Sequence, residues 1–172
     1  VGYMLQKDLL LPWRNIEQNV LLPQELPHLR TCSKAEVAEL FVLFGLEAFR
    51  KAYPRELSGG MRQRANLLRT YTLQSDLLLL DEPFGALDAL TKQSLQYWFL
   101  EMSRQRPRSI LLITHDIREA ILLADQVLVL SMRPCRSLAS FDVRGIRSSE
   151  ELEREIFSYL DPQECEPKDA RR

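Results

Sequence analysis

Three short stretches carry residue types that act on phosphates and water. In the first, the apolar run Leu77–Leu80 leads into Asp81-Glu82-Pro83. A strand that delivers two adjacent carboxylates to its own end is costly unless something cationic meets them. Asp81 suits a contact to Mg2+, direct or through its water shell, and Glu82 suits orienting or deprotonating a water. In the second, Ile110–Ile113 leads into Thr114-His115-Asp116, which places His115 to contact a phosphate or hold a water. The third is Leu57-Ser58-Gly59-Gly60-Met61-Arg62-Gln63-Arg64. Its two glycines let backbone approach a ligand closely, Ser58 supplies a hydroxyl, and the helix that follows aims its first N–H groups at the same spot. That is an anion site in principle. Gln6 adds a polar group at the end of the opening segment Val1-Gly2-Tyr3-Met4-Leu5. Read singly, each has a plainer meaning: an acidic surface turn, a structural histidine, a capped helix with a flexible first turn, a glutamine of no consequence.

The elements that position these groups follow from apolar periodicity and punctuation. Val1–Gln6 reads as a strand already in progress. Residues 16–22 read as a short helix ended by Pro23 and Pro27. Ser33 and Glu36 form a capping box for an apolar helix that runs through Phe44 and stops at Gly45. Ser58 caps a helix whose expected buried stripe is Met61, Ala65, Leu68 and Thr72. The segment from about residue 10 to about residue 75 is thus expected to be a helical subdomain. From Leu77 the pattern changes to strand, helix, strand, helix, strand. Leu77–Leu80 is expected to be buried on both faces. Asp88 caps a helix bearing Leu95, Trp98, Phe99 and Met102, and Asp116 with Glu119 opens another, to about Leu123. Gln126–Ser131 is the third strand, so residues 76–133 predict parallel βαβ units, in whose sheets functional groups gather at the strand carboxyl ends. After Arg133-Pro134 the chain is more polar. Ser148 and Glu151 are expected to cap a last amphipathic helix over 148–160, with a charged, mobile tail over 161–172.

Composition narrows the function classes. The chain has 172 residues, enough for one domain or most of one. Apolar residues make up 45% and charged residues 27%, which suits a packed core and excludes a disordered or collagen-like chain. Twenty-three basic residues balance 24 acidic ones for a net charge of −1, which gives no support to nucleic-acid binding by bulk charge. The apolar runs are far too short to cross a bilayer. Cys32, Cys135 and Cys165 form no CxxC pair, which disfavours a disulfide framework or a zinc site.

Taken together and in order, Gln6, LSGGMRQR at 57–64, LLLLDEP at 77–83, GALD at 85–88 and THD at 114–116 make residues 1–133 resemble the nucleotide-binding subunits of ABC transporters. The resemblance implies an α/β fold of the P-loop NTPase (RecA-like) type, a parallel sheet core with an inserted α-helical subdomain. It implies ATP and Mg2+ as cofactors, and head-to-tail packing of two nucleotide-binding subunits with two ATP molecules between them. Asp81 would then hold Mg2+, Glu82 would be the general base, His115 would meet the γ-phosphate, and Gln6 would touch metal and water. Ser58, Gly59, Gly60 and Gln63 of the signature stretch would meet the partner subunit's nucleotide, and Asp88 would couple the two sites. The helical region would dock a membrane-spanning permease, itself served by a solute-binding protein, at the cytoplasmic face of the membrane. The runs LLLPWRN at 9–15, YPRELSGGMRQR at 53–64 and DEPFGALDALT at 81–91 are similar to those of importer subunits for nitrate, sulfonate and taurine.

The chain departs from that pattern in one main respect. The phosphate-cradling loop G-x-x-x-x-G-K-[ST] does not occur in it. Since that loop and the first strands precede the Gln6 segment in the family, the expectation is an amino-terminally truncated chain, inactive alone, whose full-length form is an ATPase. The alternatives are a truncated, catalytically inactive subunit that only dimerises or docks a permease, and a non-transport ABC ATPase; no long coiled-coil insertion supports the latter. A smaller departure is Asn66-Leu67-Leu68-Arg69-Thr70-Tyr71, bulkier than the family's usual small residues and expected to repack without touching the chemistry.

Overall fold

The apolar runs become strands and the capped segments become helices in the computed structural model, which describes residues 1–105, 107–131, 135–146 and 149–160. In chain order the elements are β1 (Gly2–Met4), α1 (Ile16–Val20), α2 (Lys34–Leu43), α3 (Gly59–Tyr71), β2 (Leu77–Asp81), α4 (Ala89–Gln105), β3 (Ser109–Ile113), α5 (Ile117–Leu123), β4 (Gln126–Leu130), β5 (Ser137–Asp142) and α6 (Glu150–Leu160). They fall into two compact units, one ending at Ile113 and one beginning at Thr114.

The first unit is built on a parallel sheet in the order β1-β2-β3, with Tyr3, Leu79 and Leu111 in register across it. One face is core: Met4, Leu78 and Leu80 are buried. The other face is open, with Tyr3 55%, Leu111 57% and Ile113 55% exposed. The expectation that Leu77–Leu80 is buried on both faces is therefore corrected, since alternate residues Leu77 and Leu79 are only half-buried.

Between β1 and β2 the regular elements are all helical, apart from a single bridge, Thr31 to Leu73. The start and stop signals work as read at α2. Ser33 Oγ accepts from the Glu36 N–H and the Glu36 carboxylate accepts from the Ser33 N–H. Gly45 takes a φ of +62° just past the end, a conformation side-chain-bearing residues adopt at a cost. The first helix is shorter than expected and carries an unanticipated capping box, Asn15 with Gln18. The helix already ends at Val20, and Pro23 is the second residue of a 3-10 turn, Leu22–Glu25. The Asn19 side chain is fully buried and gathers the loop before α1: its Oδ1 accepts from the Leu11 N–H at 2.7 Å, and its Nδ2 donates to the carbonyls of Leu11, Arg14 and Asn15. In α3 the expected four-residue stripe is too narrow. Ala65, Leu68 and Thr72 are buried but Met61 only half so, and Gln63, Asn66, Leu67, Thr70 and Tyr71 are buried too, because the helix packs against both α1 and β1. Trp98 of α4 closes this core by edge contacts to Phe44 at 4.9 Å and Tyr71 at 4.8 Å.

The second unit has its own sheet. Its strand β4 does not extend the parallel array; it pairs antiparallel with β5, a strand the polar run after residue 134 did not announce. Ala139 and Phe141 alternate inward on β5 and pack with Ile121, Val127, Val129, Val143 and Ile156. Asp116 caps α5 by accepting from the N–H groups of Arg118 and Glu119. At α6 the Ser149 hydroxyl accepts from the Leu152 N–H. The expected cap Ser148 and the expected tail over 161–172 lie outside the described residues.

Candidate functional site

Strand β2 ends as the sequence requires, with Asp81 its last residue and Glu82 one step beyond. Glu82 has a φ of +47°, in the left-handed region that costs a non-glycine residue about 1–2 kcal/mol. Three hydrogen bonds hold it there. Its N–H donates to the Ile113 carbonyl at 2.9 Å, and its own carbonyl accepts from the Gly85 N–H at 3.2 Å and from Gln63 Nε2 at 3.0 Å. The backbone turn projects the carboxylate towards Gln6, whose Nε2 donates to Glu82 Oε2 at 3.1 Å. Two residues 76 positions apart thus meet at one point, where a half-buried carboxylate and an exposed amide face solvent together.

The signature stretch lies at the start of α3. Ser58 is exposed and its Oγ accepts from the Met61 N–H at 3.3 Å, leaving its own hydroxyl hydrogen free to donate outward. Gly59 is exposed, and a Cβ there would find nothing closer than Arg62 Nη2 at 4.0 Å. Gly60 differs: a Cβ on it would stand 3.0 Å from the Ala86 carbonyl oxygen. Its lack of a side chain is used within the chain, to let the helix meet the turn after Glu82. Gln63, expected at the nucleotide, is 6% exposed and its amide nitrogen is given to the Glu82 carbonyl. It holds the catalytic candidate in place from behind. Asp88 is exposed and caps α4 through the Thr91 N–H at 3.0 Å; that backbone hydrogen bond holds its carboxyl below the usual carboxylate value.

In the first unit, then, the fold gathers Gln6, Ser58, Gly60, Gln63, Asp81, Glu82 and Asp88 around the ends of α3 and β2. His115 lies in the second unit. There it is exposed and lines a cleft of about 540 Å³ with Arg118, Glu153, Arg154 and Phe157. Among the described residues no cluster of three or more His, Cys, Asp or Glu stands ready to hold a metal. A lone carboxylate pair beside an amide fits Mg2+ bound mainly through phosphate oxygens and water, the mode this ion prefers to an all-protein cage.

Sequence reasoning passed over one group of residues here. The segment around Gln6 is tied to α3 by Asn66 before it, at the Leu5 carbonyl, and by Arg62 and Arg69 after it. Arg62 Nε donates to Asp8 Oδ2 at 3.0 Å, and Arg69 donates to the carbonyls of Asp8 at 2.9 Å and Leu9 at 3.0 Å. Burial pulls the Arg69 guanidinium below its ordinary value, and Asp8 opposes this. The only signal in the sequence was the unusual bulk of residues 66–71.

Known proteins resemble the chain along most of its length. The family model described as ABC transporter matches residues 1–85. The formylaminopyrimidine import ATP-binding protein ThiZ of Halalkalibacterium halodurans is 42% identical over 164 residues, covering 92% of this chain and 66% of that protein. The taurine import ATP-binding protein TauB of Rhizobium johnstonii is 43% identical over 147 residues, covering 85% of this chain and 56% of that protein. The ABC transporter ATP-binding protein YtlC of Bacillus subtilis is 48% identical over 135 residues, covering 78% and 52%. The chain therefore spans between half and two thirds of the length of these curated relatives. Among solved structures, the dimeric bacterial ABC transporter cassette MJ0796 superposes with a TM-score of 0.71 at 24% identity, covering 84% of this chain and 63% of that one, which establishes the P-loop cassette fold. With its motifs in family order, its strand ends where those motifs need them, and relatives above 40% identity along most of its length, the chain belongs to the ABC transporter ATP-binding family.

Proposed function

We propose that the protein carrying this chain is the ATP-binding and ATP-hydrolysing subunit of an ABC importer, coupling hydrolysis to uptake of a small solute. The observation that carries this reading is the meeting of Gln6 and Glu82 at 3.1 Å beyond the end of β2, with Gln63 fixing the Glu82 backbone from behind. ATP with Mg2+, when bound there, would supply the phosphoryl group to be released and the cationic charge that offsets its phosphates. Asp81 and Gln6 would hold the ion with its waters. Glu82 would take the proton of the attacking water, and its bond to Gln6 keeps the carboxylate aimed while it does so. His115 would donate to the terminal phosphate. Ser58 and Gly59, exposed at the start of α3, would meet the nucleotide of a second subunit packed head to tail, and Asp88 would lie across that interface. Gly60 supports the same surface indirectly, through its fit against Ala86.

The open face of the parallel sheet suits this reading. Tyr3, Leu79 and Leu111 form an apolar row that a segment bearing the phosphate-cradling loop would cover in the whole protein. Trp13, 71% exposed, with Leu9 and Leu26 nearby in sequence, suits docking of the permease at the cytoplasmic face of the membrane. Among the described residues no helix is long and apolar enough to cross a membrane. A solute-binding protein would act through that permease. The relatives' names favour a small solute of the taurine or formylaminopyrimidine kind.

The test is Glu82→Gln in the protein at its full natural length. Turnover of ATP is expected to fall by about 10²–10⁴-fold, the usual contribution of a general base, while ATP binding persists. Wild-type turnover in that variant would refute the assignment of Glu82.

A further inference from the structure

We infer that Asn66 is a positioning residue which, with Arg69, suspends Gln6 between two anchored flanks so that its amide meets Glu82. The inference rests on the proposed ATPase reading for its kinetic consequence, and on geometry alone for the anchoring. Asn66 lies at the centre of α3 and is 2% exposed. Its Nδ2 donates to the Leu5 carbonyl, the residue before Gln6, at 3.3 Å. Its Oδ1 accepts from Arg69 Nη2 at 2.8 Å. That same nitrogen donates to the Asp8 carbonyl, two residues after Gln6, and Arg69 Nη1 donates to the Leu9 carbonyl. Both flanks of Gln6-Lys7 are therefore pinned to one helix, and the pins are joined to each other through the Asn66–Arg69 bond.

Two further observations give this arrangement its meaning. Leu9 has a φ of +44°, a strained conformation for a branched side chain, which persists only where the surroundings over-determine it. Arg69 on its own carbonyl, the Asp8 Oδ1 acceptance of the Leu10 N–H and the Arg62–Asp8 ion pair supply that constraint. The same helix also carries Gln63, one turn earlier, on the Glu82 carbonyl. One rigid element thus fixes Glu82 by its second turn and the flanks of Gln6 by its middle. The bulk at residue 66 is not mere repacking, since a small apolar residue there would leave the Leu5 carbonyl without this donor and Arg69 without this acceptor.

The experiment uses the protein at its full natural length. Asn66→Ala is expected to lower kcat for ATP hydrolysis about tenfold, as loss of orientation does, while KM for ATP moves less than about twofold. Gln6→Ala is expected to lower kcat similarly, and adding Asn66→Ala to it is expected to cost nothing further, because both changes break one interaction. Independent losses that multiply in the double variant, or a wild-type kcat in Asn66→Ala, would overturn the inference. Asn66→Asp keeps size and the Arg69 acceptor but loses the donor to Leu5, so it serves if the alanine variant fails to fold, with a loss between wild type and alanine expected. Amide hydrogen exchange over residues 3–12 reads the anchoring without any hydrolysis. Faster exchange there in Asn66→Ala or Asn66→Asp, with α4 unchanged, supports the inference, and unchanged protection sinks it. A wild-type protein with no ATPase activity would remove the proposed function while the exchange result still decided the anchoring.

Discussion

Adding one methyl group at each of two neighbouring glycines separates the packing role of the signature stretch from its helix-forming role. Gly59 and Gly60 are the first two residues of α3, so alanine at either gains nearly the same helix propensity, up to about 1 kcal/mol. Their surroundings differ sharply. At Gly59 the new carbon would find its nearest neighbour at 4.0 Å, the end of a flexible arginine. At Gly60 it would stand 3.0 Å from the Ala86 carbonyl oxygen and 3.7 Å from Leu87 Cδ2. The first of these is backbone, in a turn held by the Gly85 N–H on the Glu82 carbonyl, and it can yield only by shifting that turn. Overpacking of this kind costs about 1–3 kcal/mol. Because the propensity gain cancels between the two variants, Gly59→Ala is expected to exceed Gly60→Ala in stability by about 1–3 kcal/mol. Urea titration of both variants at the protein's full natural length, followed by circular dichroism, measures the difference directly. ATP turnover of Gly60→Ala is expected to fall as well, since the displaced turn carries Glu82 at its start. Equal midpoints for the two variants would refute the argument that Gly60 is reserved for the Ala86 contact.

Two further outcomes follow from the core and from the surface. Phe44→Ala removes a fully buried ring that meets Trp98 edge-on, and is expected to cost about 3–5 kcal/mol in the same urea titration, with the helical signal retained. Glu17 is paired with Lys51 and Arg50, whose hydrogen bonds hold its carboxyl below the usual carboxylate range. A carboxyl depressed in the folded state adds stability above its unfolded pKa and loses it as pH falls through the folded value. Urea midpoints of wild type and Glu17→Gln should therefore differ at about pH 7 and converge as pH falls below the usual carboxylate range; a constant gap would show that the pairing is not the cause.

What the sequence disclosed was local. Ser33 with Glu36, Ser58, Asp88 and Asp116 announce helix starts because a capping oxygen and the N–H groups that donate to it lie within three residues. The strand ends at Asp81 and Ile113 are legible for the same reason: an apolar run simply stops. What it hid was long-range. Nothing near Gln63 indicates that its amide will reach the carbonyl of residue 82, and nothing near Asn66 points to Leu5, 61 positions away. The antiparallel pairing of β4 is not legible because strand direction depends on the partner, and β5 interleaves Ser137, Ser140 and Asp142 with few apolar residues, so that its inward alternation at Ala139 and Phe141 is short and weak. One-sided burial of β2 was equally invisible, since Leu77–Leu80 is apolar at every position whichever face is covered.

The loop gathered by Asn19 has a thermodynamic consequence for whatever meets Trp13. Four hydrogen bonds from one buried amide fix the backbone around residues 11–15 before any encounter, while the indole itself stands in solvent. Fixing a backbone residue costs about 1–2 kcal/mol of conformational entropy, and here folding has already met that cost for the residues on either side of the ring. A partner therefore orders only the indole's own rotamer on contact, and keeps nearly all the free energy of covering it as affinity. Loosening Asn19 would weaken such an encounter without altering a single atom of the surface that is touched.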